Sequence, residues 1–568
     1  MRQYLPFLDW IKSYDKSYLS GDISAGLTVG VMLIPQGMAY SMLAGLPPIY
    51  GLYASTIPLI IYALLGTSRQ LAVGPVAMVA LLISSGVGAL AEIGSPEFIS
   101  LAILLAVMVG VIQFAMGAFR LGFLVNFLSH PVIAGFTSAA ALIIGFSQMK
   151  HILGISLPRG KVHETIINIY QNIGDINLPT IAIGLGSIII LFLIKKIKKR
   201  LPGPLIVVVL GMVLVYFLGL HQQGVKIIKD VPGGLPAFGI PQFEMNNIIA
   251  LFPIALTISF VGFMESIAVA KAIQAKHKTY EVVPNQELIG LGLANIVGSF
   301  FKAFPVTGGF SRTAVNDQAG AKTGVASIIS AVLIIITLLF LTDYFYYLPN
   351  AVLGAIIVVA VIGLIDIHEA KHLWKNDKKD FWVFMVTALA TLGLGIEEGI
   401  LIGVVLSIGM LVYKVSYPHI AELGRVPDSD KYRNVDRFED LQTYDDVLIV
   451  RFDAQLYFAN ANALYDFIKT KIKLRPKIKH VILDFSAISG LDSSAAHKIQ
   501  DLVNDLHASD RELYLTNVRG PLRDTLKQYK IMHEGNIEHF YLSNRDAIKD
   551  IKFHTGNEFE KYVGQSDD

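Results

Sequence analysis

The sequence predicts a polytopic α-helical membrane domain followed by a smaller α/β domain in water, and three observations carry that expectation. The 568-residue chain is 53% hydrophobic and 16% charged, with mean hydropathy +0.54, which is too apolar for a soluble protein. Apolar residues dominate from about residue 20 to 415 in stretches near the ~20 residues that cross a bilayer. The last ~150 residues are charge-rich and alternate short β-rich runs with amphipathic helical patterns. A formal net charge of +2 supplies no basic field for nucleic acid, and the absence of cysteine excludes disulfides and thiolate metal sites.

Residues 1–20 lack the positive, apolar and small-residue regions of a signal peptide and read as a cytoplasmic segment. Their Trp and Tyr residues, alternating with Lys and Asp, suit the membrane surface as well as they suit a solvated leader. Twelve full spans follow in the membrane domain, 21–416, at roughly 22–44, 48–66, 98–118, 131–149, 179–195, 203–220, 248–270, 286–302, 324–341, 350–366, 380–396 and 398–415. Two short apolar stretches, near 75–88 and 311–320, begin at Gly/Pro or Ser/Thr breaks and bring the count to fourteen.

An even count places both termini on one side, and charge selects that side. One set of connections carries Arg69, Arg120, Lys195, Lys196, Lys198, Lys199, Arg200, Lys271, Lys276, Lys278, Lys371, Lys375, Lys378 and Lys379. The opposite set carries fewer, chiefly Lys150, Arg159, Lys161, Lys226, Lys229 and Lys302, with Glu92, Glu97, Glu397 and Glu398. The positive-inside rule makes the first set and both termini cytoplasmic, in a multi-pass plasma-membrane protein, or an inner-membrane one in a Gram-negative bacterium. The two short segments stand third and tenth, each third in a group of seven. Broken helices at matching positions suggest a seven-plus-seven inverted repeat.

From residue 417 a linker leads into the α/β domain. VLIVRFD (447–453), HVILDFS (480–486) and ELYLTNV (512–518) read as strands, and ALYDFIKTKI, SAAHKIQDLVNDLHAS and PLRDTLKQY read as helices. Residues 419–446 read as a mixed connection with an edge strand.

The breaks carry the chemistry. Lipid cannot satisfy the backbone groups a break exposes, so it must face protein or a watery cavity. A half-helix starting there aims free N–H groups and its positive dipole end inward, and two such ends make an anion site. In PVTGGFSRTAVN (305–316), Gly308 and Gly309 would let the backbone turn, Ser311 would cap the half-helix, and Arg312 would supply a planar counter-charge. The matching turn is Gly74-Pro75. The bland alternative is an external loop with Arg312 at the headgroups. Gln36 and Tyr40, four apart in the first span, share a face and could bond a polar solute or simply another helix. Glu265, in FVGFMESIAVAKA, suits proton coupling, a Na⁺ site, or a fixed ion pair with Arg312 or Lys271.

IPQGMAYSMLAGLPPIYGLYA (34–54), GTSRQLAVGPVA (66–77), NFLSHPVIAGFTSAAAL (126–142) and PVTGGFSRTAVNDQAGAKTG (305–324) closely resemble the sulfate permease (SulP) family of anion transporters, and the tail resembles their C-terminal STAS domain. The resemblance implies fourteen segments in two inverted repeats, a core domain moving against a gate domain, and an anion site between the third and tenth segments. Members are commonly homodimers that move sulfate, bicarbonate, chloride, oxalate or dicarboxylates. By motif, the family's substrate-binding positions fall on Gln36, Tyr40, Val76, Ala77, Ser311 and Arg312, with Glu265 as the coupling-ion position. Val76 and Ala77 would act through backbone N–H groups. In DFSAISGLDSSAAHKI (484–499), Ser493 and Ser494 match the region phosphorylated in soluble bacterial relatives, which makes the STAS domain a candidate regulatory site for a protein or ligand; the alternative is simple helix capping at Asp492, Ser493 and Ser494.

The expected function is secondary active transport of a small anion, sulfate, bicarbonate or a dicarboxylate, by proton symport and an elevator-like motion. Alternatives are a Na⁺-coupled bicarbonate symporter, an exchanger, an uncoupled channel, or a membrane sensor. No G-x-x-x-x-G-K-[ST] loop or nucleophile elbow occurs, and no enzymatic activity or cofactor is expected beyond a coupling ion, H⁺ or alternatively Na⁺. His368 and His372 sit in a lysine-rich context that reads as a cytoplasmic loop.

Overall fold

Apolar composition becomes helix throughout the first of two units, Met1–Ser407 and Ile408–Asp568. The structure, a computed structural model, describes residues 6–12, 14–123, 129–157, 162–197, 202–529, 531 and 540–555. Arg159, Lys161, Lys198, Lys199, Arg200 and motif residues 126–128 lie outside the described residues.

Helices occupy all fourteen expected positions: Lys16–Ala44, Pro48–Tyr53 with Ile57–Leu65, Ala77–Gly86, Pro96–Ala118, His130–Ser147, Leu178–Ile197, Gly203–Phe217, Met245–His277, Pro284–Ser299, Phe310–Gln318, Val325–Phe340, Asn350–Ile362, Lys378–Gly393 and Ile396–Ser416. Six described helical stretches are long and apolar enough to cross a bilayer, and five shorter apolar helices accompany them. Ile189, Phe192, Val209 and Phe217 are exposed apolar side chains, an arrangement water would penalise and lipid accepts.

Two expectations need correction. The second span is interrupted at Ala54–Thr56, because Pro58, near the start of Ile57–Leu65, lacks an N–H and its ring excludes a continuous helix through residue 54. His368 and His372 lie on a short amphipathic helix, Ile367–Asn376, whose first turn Asp366 caps through the Glu369 N–H, 2.8 Å away.

Close helix contacts in this unit depend on small residues. A Cβ on Gly110 would sit 2.7 Å from the Gly292 carbonyl oxygen, and one on Gly292 2.8 Å from that of Gly110, so Pro96–Ala118 and Pro284–Ser299 meet backbone to backbone.

The second unit contains a six-stranded sheet, in spatial order Tyr432–Asn434, Ile420–Arg425, Val447–Phe452, His480–Asp484, Glu512–Thr516 and Phe540–Tyr541. Ile420–Arg425 runs antiparallel to both of its neighbours, and the remaining pairs are parallel. The central strand His480–Asp484 is buried along its whole length, as a parallel strand covered on both faces must be. Helices Ala461–Leu474, Ser493–His507 and Gly520–Gln528 follow the expected pattern. The strand Phe540–Tyr541 and helix Asn544–Thr555 were not anticipated. Asn544 joins them to the sheet by donating to Asp484 Oδ2 at 2.8 Å.

Candidate functional site

Two short strands organise the middle of the first unit. Val73–Gly74 pairs antiparallel with Thr307–Gly308, Val73 opposite Gly308 and Gly74 opposite Thr307. Because the strands oppose one another, the chains leave the pair in opposite directions, and the helices Ala77–Gly86 and Phe310–Gln318 begin within three residues of it. Their amino ends therefore meet. Gly74 adopts φ +154°, a backbone conformation that side-chain-bearing residues rarely adopt, and Pro75 follows it.

Ser311 does not cap its half-helix. The N-cap is Gly309, whose N–H donates to the Ala72 carbonyl at 3.2 Å; this holds the chain extended up to that residue and leaves Ser311 inside the first turn. Val76 is the N-cap of the other half-helix, and neither cap makes a side-chain hydrogen bond. The first-turn N–H groups are thus left without a capping side chain, the condition under which a helix end receives an anion.

Arg312 is 2% exposed, which rules out the headgroup location. Its Nη1 donates to the Pro75 carbonyl at 2.6 Å, crossing from one half-helix to the break before the other. Its Nε and Nη2 are buried and have no hydrogen-bond partner among the described residues. A guanidinium so held costs stability until an acceptor arrives.

A cavity of about 470 Å³ opens at this point, lined by Gln36, Tyr40, Val76, Ala77, Glu265, Ser311 and Arg312 among others. All seven residues selected from the sequence therefore face one space. Phe136, Val261 and Met264 give it an apolar wall, which strengthens any charge interaction inside. Gln36 has a buried amide oxygen without a partner. An amide flip exchanges that oxygen for a donor, so the group can serve an anion. Gln36 and Tyr40 are placed by a tight crossing, since a Cβ on Gly51 would lie 1.9 Å from the Gly37 carbonyl oxygen. Glu265 makes no ion pair with Arg312 or with Lys271, although all three line the cavity.

A set of polar residues that sequence reasoning missed clamps the breaks. Thr313 Oγ1 accepts from the Ala72 N–H at 3.0 Å, and Asn316 donates to the Gln70 carbonyl at 2.8 Å. Ser266, next to Glu265, accepts from the Gly308 N–H at 2.8 Å, and Thr307 donates to the Gly262 carbonyl at 2.5 Å. Asn295 binds Val306 on both sides, accepting from its N–H at 2.8 Å and donating to its carbonyl at 3.0 Å. At the far end of the second half-helix, Asp317 pairs with Lys276 and His277. The helix bearing Glu265 is therefore tied to the segment bearing Arg312 at two levels. Their only signal in the sequence was polarity inside apolar runs, which also suits interhelical contacts without function.

In the second unit, Asp492 is the N-cap of Ser493–His507, accepting from the Ala495 N–H at 2.8 Å. Ser493 and Ser494 are exposed in the first turn and do not perform the capping.

The family model described as Sulfate permease family matches residues 19–387, and that of the STAS domain matches residues 440–547. Sulfate transporter 4.1, chloroplastic, of Arabidopsis thaliana is 40% identical over 564 residues, covering 96% of this chain and 82% of the relative. High affinity sulfate transporter 2 of Stylosanthes hamata is 34% identical, with 96% and 86% covered. Among solved structures, murine Slc26a9, described as an anion transporter in the inward-facing state, superposes with a TM-score of 0.89 at 28% identity, over 98% of this chain and 94% of that one. The transmembrane domain of a cyanobacterial bicarbonate transporter, BicA, shares the fold with a TM-score of 0.61 at 22% identity, over 70% and 98%.

Proposed function

Because the chain belongs to the sulfate permease family, we propose that it is a secondary active transporter of a small oxyanion, sulfate before bicarbonate or a dicarboxylate, moved together with a proton. The observation that carries this reading is the uncommitted Nε and Nη2 of Arg312, buried beside two converging helix amino ends on a cavity. An oxyanion offers several acceptor oxygens to planar donors and dipole ends at once. The sulfate transporters among the relatives support sulfate as the first substrate to test.

Glu265 supports the proton. It lines the same cavity as Arg312 and forms no ion pair among the described residues. An entering anion would favour its protonated form by repulsion, and loss of the anion would favour release, which is the linkage that symport needs. The clamps argue for motion as one body: the helices bearing Arg312 and Glu265 are bound together, so the site would move intact past Phe136 and its helix in an elevator-like step. A plasma-membrane homodimer with both termini cytoplasmic fits the charge bias and the family.

The test is uptake into liposomes containing the purified full chain, with labelled sulfate, bicarbonate and fumarate under imposed H⁺ or Na⁺ gradients. Sulfate accumulation driven by an inward proton gradient is expected. Flux indifferent to both gradients would overturn the coupling and leave exchange or a channel.

A further inference from the structure

A second cavity, of about 590 Å³, lies beside the short helix Phe7–Lys12 and is walled by Trp10, Thr67, Arg69, Arg120, Tyr280 and Glu281 among others. It is separate from the anion cavity and shares none of the residues described there. Arg69 lies over the Tyr280 ring, 5.4 Å from its centroid, which orients the guanidinium without neutralising it. Among the described residues neither Arg69 nor Arg120 forms an ion pair. Glu287 lies nearby but is saturated, accepting from Tyr62 Oη at 2.6 Å, from the Thr67 N–H and Oγ1 at 2.6 Å each, and from the Ser68 N–H at 3.0 Å. Among the described residues Glu281 is the one acidic side chain on the wall, against Arg69 and Arg120.

Its rim is apolar. Phe119, adjacent to Arg120, is 77% exposed, and Ile11, adjacent to the buried Trp10, is 51% exposed. In a protein that crosses a membrane, exposed apolar side chains next to an unpaired guanidinium match an amphiphile with an anionic head: the head would enter the cavity and the acyl chains would lie against Phe119 and Ile11. Both arginines belong to the positively biased set of connections, the side on which anionic lipids concentrate.

We propose that this cavity binds the phosphate of an anionic phospholipid, held by Arg69 and Arg120. A soluble phosphate would satisfy the arginines and leave the exposed Phe119 and Ile11 uncovered, which is why the lipid is favoured. The location also gives the lipid a route to the transport site. Arg69 is followed by Gln70, whose carbonyl accepts from Asn316 at 2.8 Å and whose amide donates to the Ala321 carbonyl at 3.0 Å. Ala72, whose N–H is held by Thr313, comes next but one. A headgroup on Arg69 therefore braces the connection that feeds the strand Val73–Gly74.

The experiment measures thermal unfolding of the delipidated full chain in detergent with dioleoyl phosphatidic acid, dioleoyl phosphatidylcholine or inorganic phosphate, in an Arg312→Ala background so that the first cavity does not report. Phosphatidic acid is expected to raise the midpoint and phosphatidylcholine to leave it unchanged. The double variant Arg69→Gln, Arg120→Gln is expected to weaken the apparent phosphatidic acid affinity by about tenfold or more for each guanidinium removed. If that variant does not fold, Arg120→Gln alone, at an exposed loop position, carries the same readout at about tenfold. Equal shifts with both lipids, or wild-type affinity in the variants, overturn the proposal. A full shift with inorganic phosphate alone assigns the cavity to a soluble phosphate and overturns the lipid as its source.

Discussion

Replacing Arg312 by alanine tests the site most directly. In the structure one guanidinium nitrogen is committed to the Pro75 carbonyl at 2.6 Å, while Nε and Nη2 have no partner. Those two nitrogens are buried donors with no partner among the described residues, and so are the ones an anion would satisfy. A hydrogen bond to a charged group is worth about 1.5–3 kcal/mol net, so losing even one should weaken apparent anion affinity roughly 10- to 100-fold. Losing both should make sulfate binding undetectable at millimolar concentration. Because an unpaired buried cation is itself destabilising, the alanine variant should not unfold earlier than wild type in anion-free buffer by more than the lost Pro75 bond explains. Arg312→Lys separates charge from geometry, since an ammonium retains the charge and lacks the planar fork that serves Pro75 and an oxyanion together. The assays are labelled sulfate uptake by proteoliposomes and the sulfate-dependent rise in unfolding temperature, which by mass action must vanish when binding does. Sulfate uptake by Arg312→Ala with apparent affinity within threefold of wild type would refute the placement of the anion on this group.

Three further outcomes are expected. Glu265→Gln should retain sulfate binding, measured as sulfate-dependent stabilisation, and lose the acceleration of uptake by an inward proton gradient. Gly51→Ala should cut sulfate uptake by tenfold or more (order of magnitude) with the protein still in the membrane, because a Cβ 1.9 Å from the Gly37 carbonyl forces the helix bearing Gln36 and Tyr40 outward. In the second unit, burial holds the His480 imidazole below its ordinary value, so as pH drops through 6.5 the unfolded chain takes up the proton more readily than the folded form. The stability of this unit should therefore be constant above about pH 7 and fall as pH drops through 6.5; calorimetry of the full chain should show its transition shifting downward there, and His480→Gln should flatten the dependence.

The breaks were legible because glycine, proline and serine are conspicuous in an apolar background, and Arg312 more so. Their pairing was not. Val73 meets Gly308 across more than two hundred residues, and no local pattern specifies a two-residue strand. The cap shows the same limit in small. Serine is a preferred N-cap, and Ser311 looked suitable on local grounds, but the tertiary bond from Gly309 to Ala72 decided where the chain turns. In the second unit the long apolar strands were readable, whereas Phe540–Tyr541 is short and owes its place to pairing with Leu515 and Thr516.

What the sequence left unseen has a common physical cause. An anion site made from helix ends contains few side chains, so its precision depends on groups that position backbone. A backbone break in lipid has no intrinsic geometry, because nothing in its own turn satisfies it. Thr313, Asn316, Ser266 and Asn295 supply that geometry by bonding to Ala72, Gln70, Gly308 and Val306. Each bonds a peptide group and none of the four lines the cavity, so no chemical signature marks it as part of a site. Arg312 stands between the two classes: one nitrogen clamps Pro75 as the polar residues clamp their peptide groups, and Nε and Nη2 have no partner among the described residues. On the proposed reading, a single side chain would link the presence of the anion to the registration of both half-helices, and the clamps and the site are expected to move as one piece.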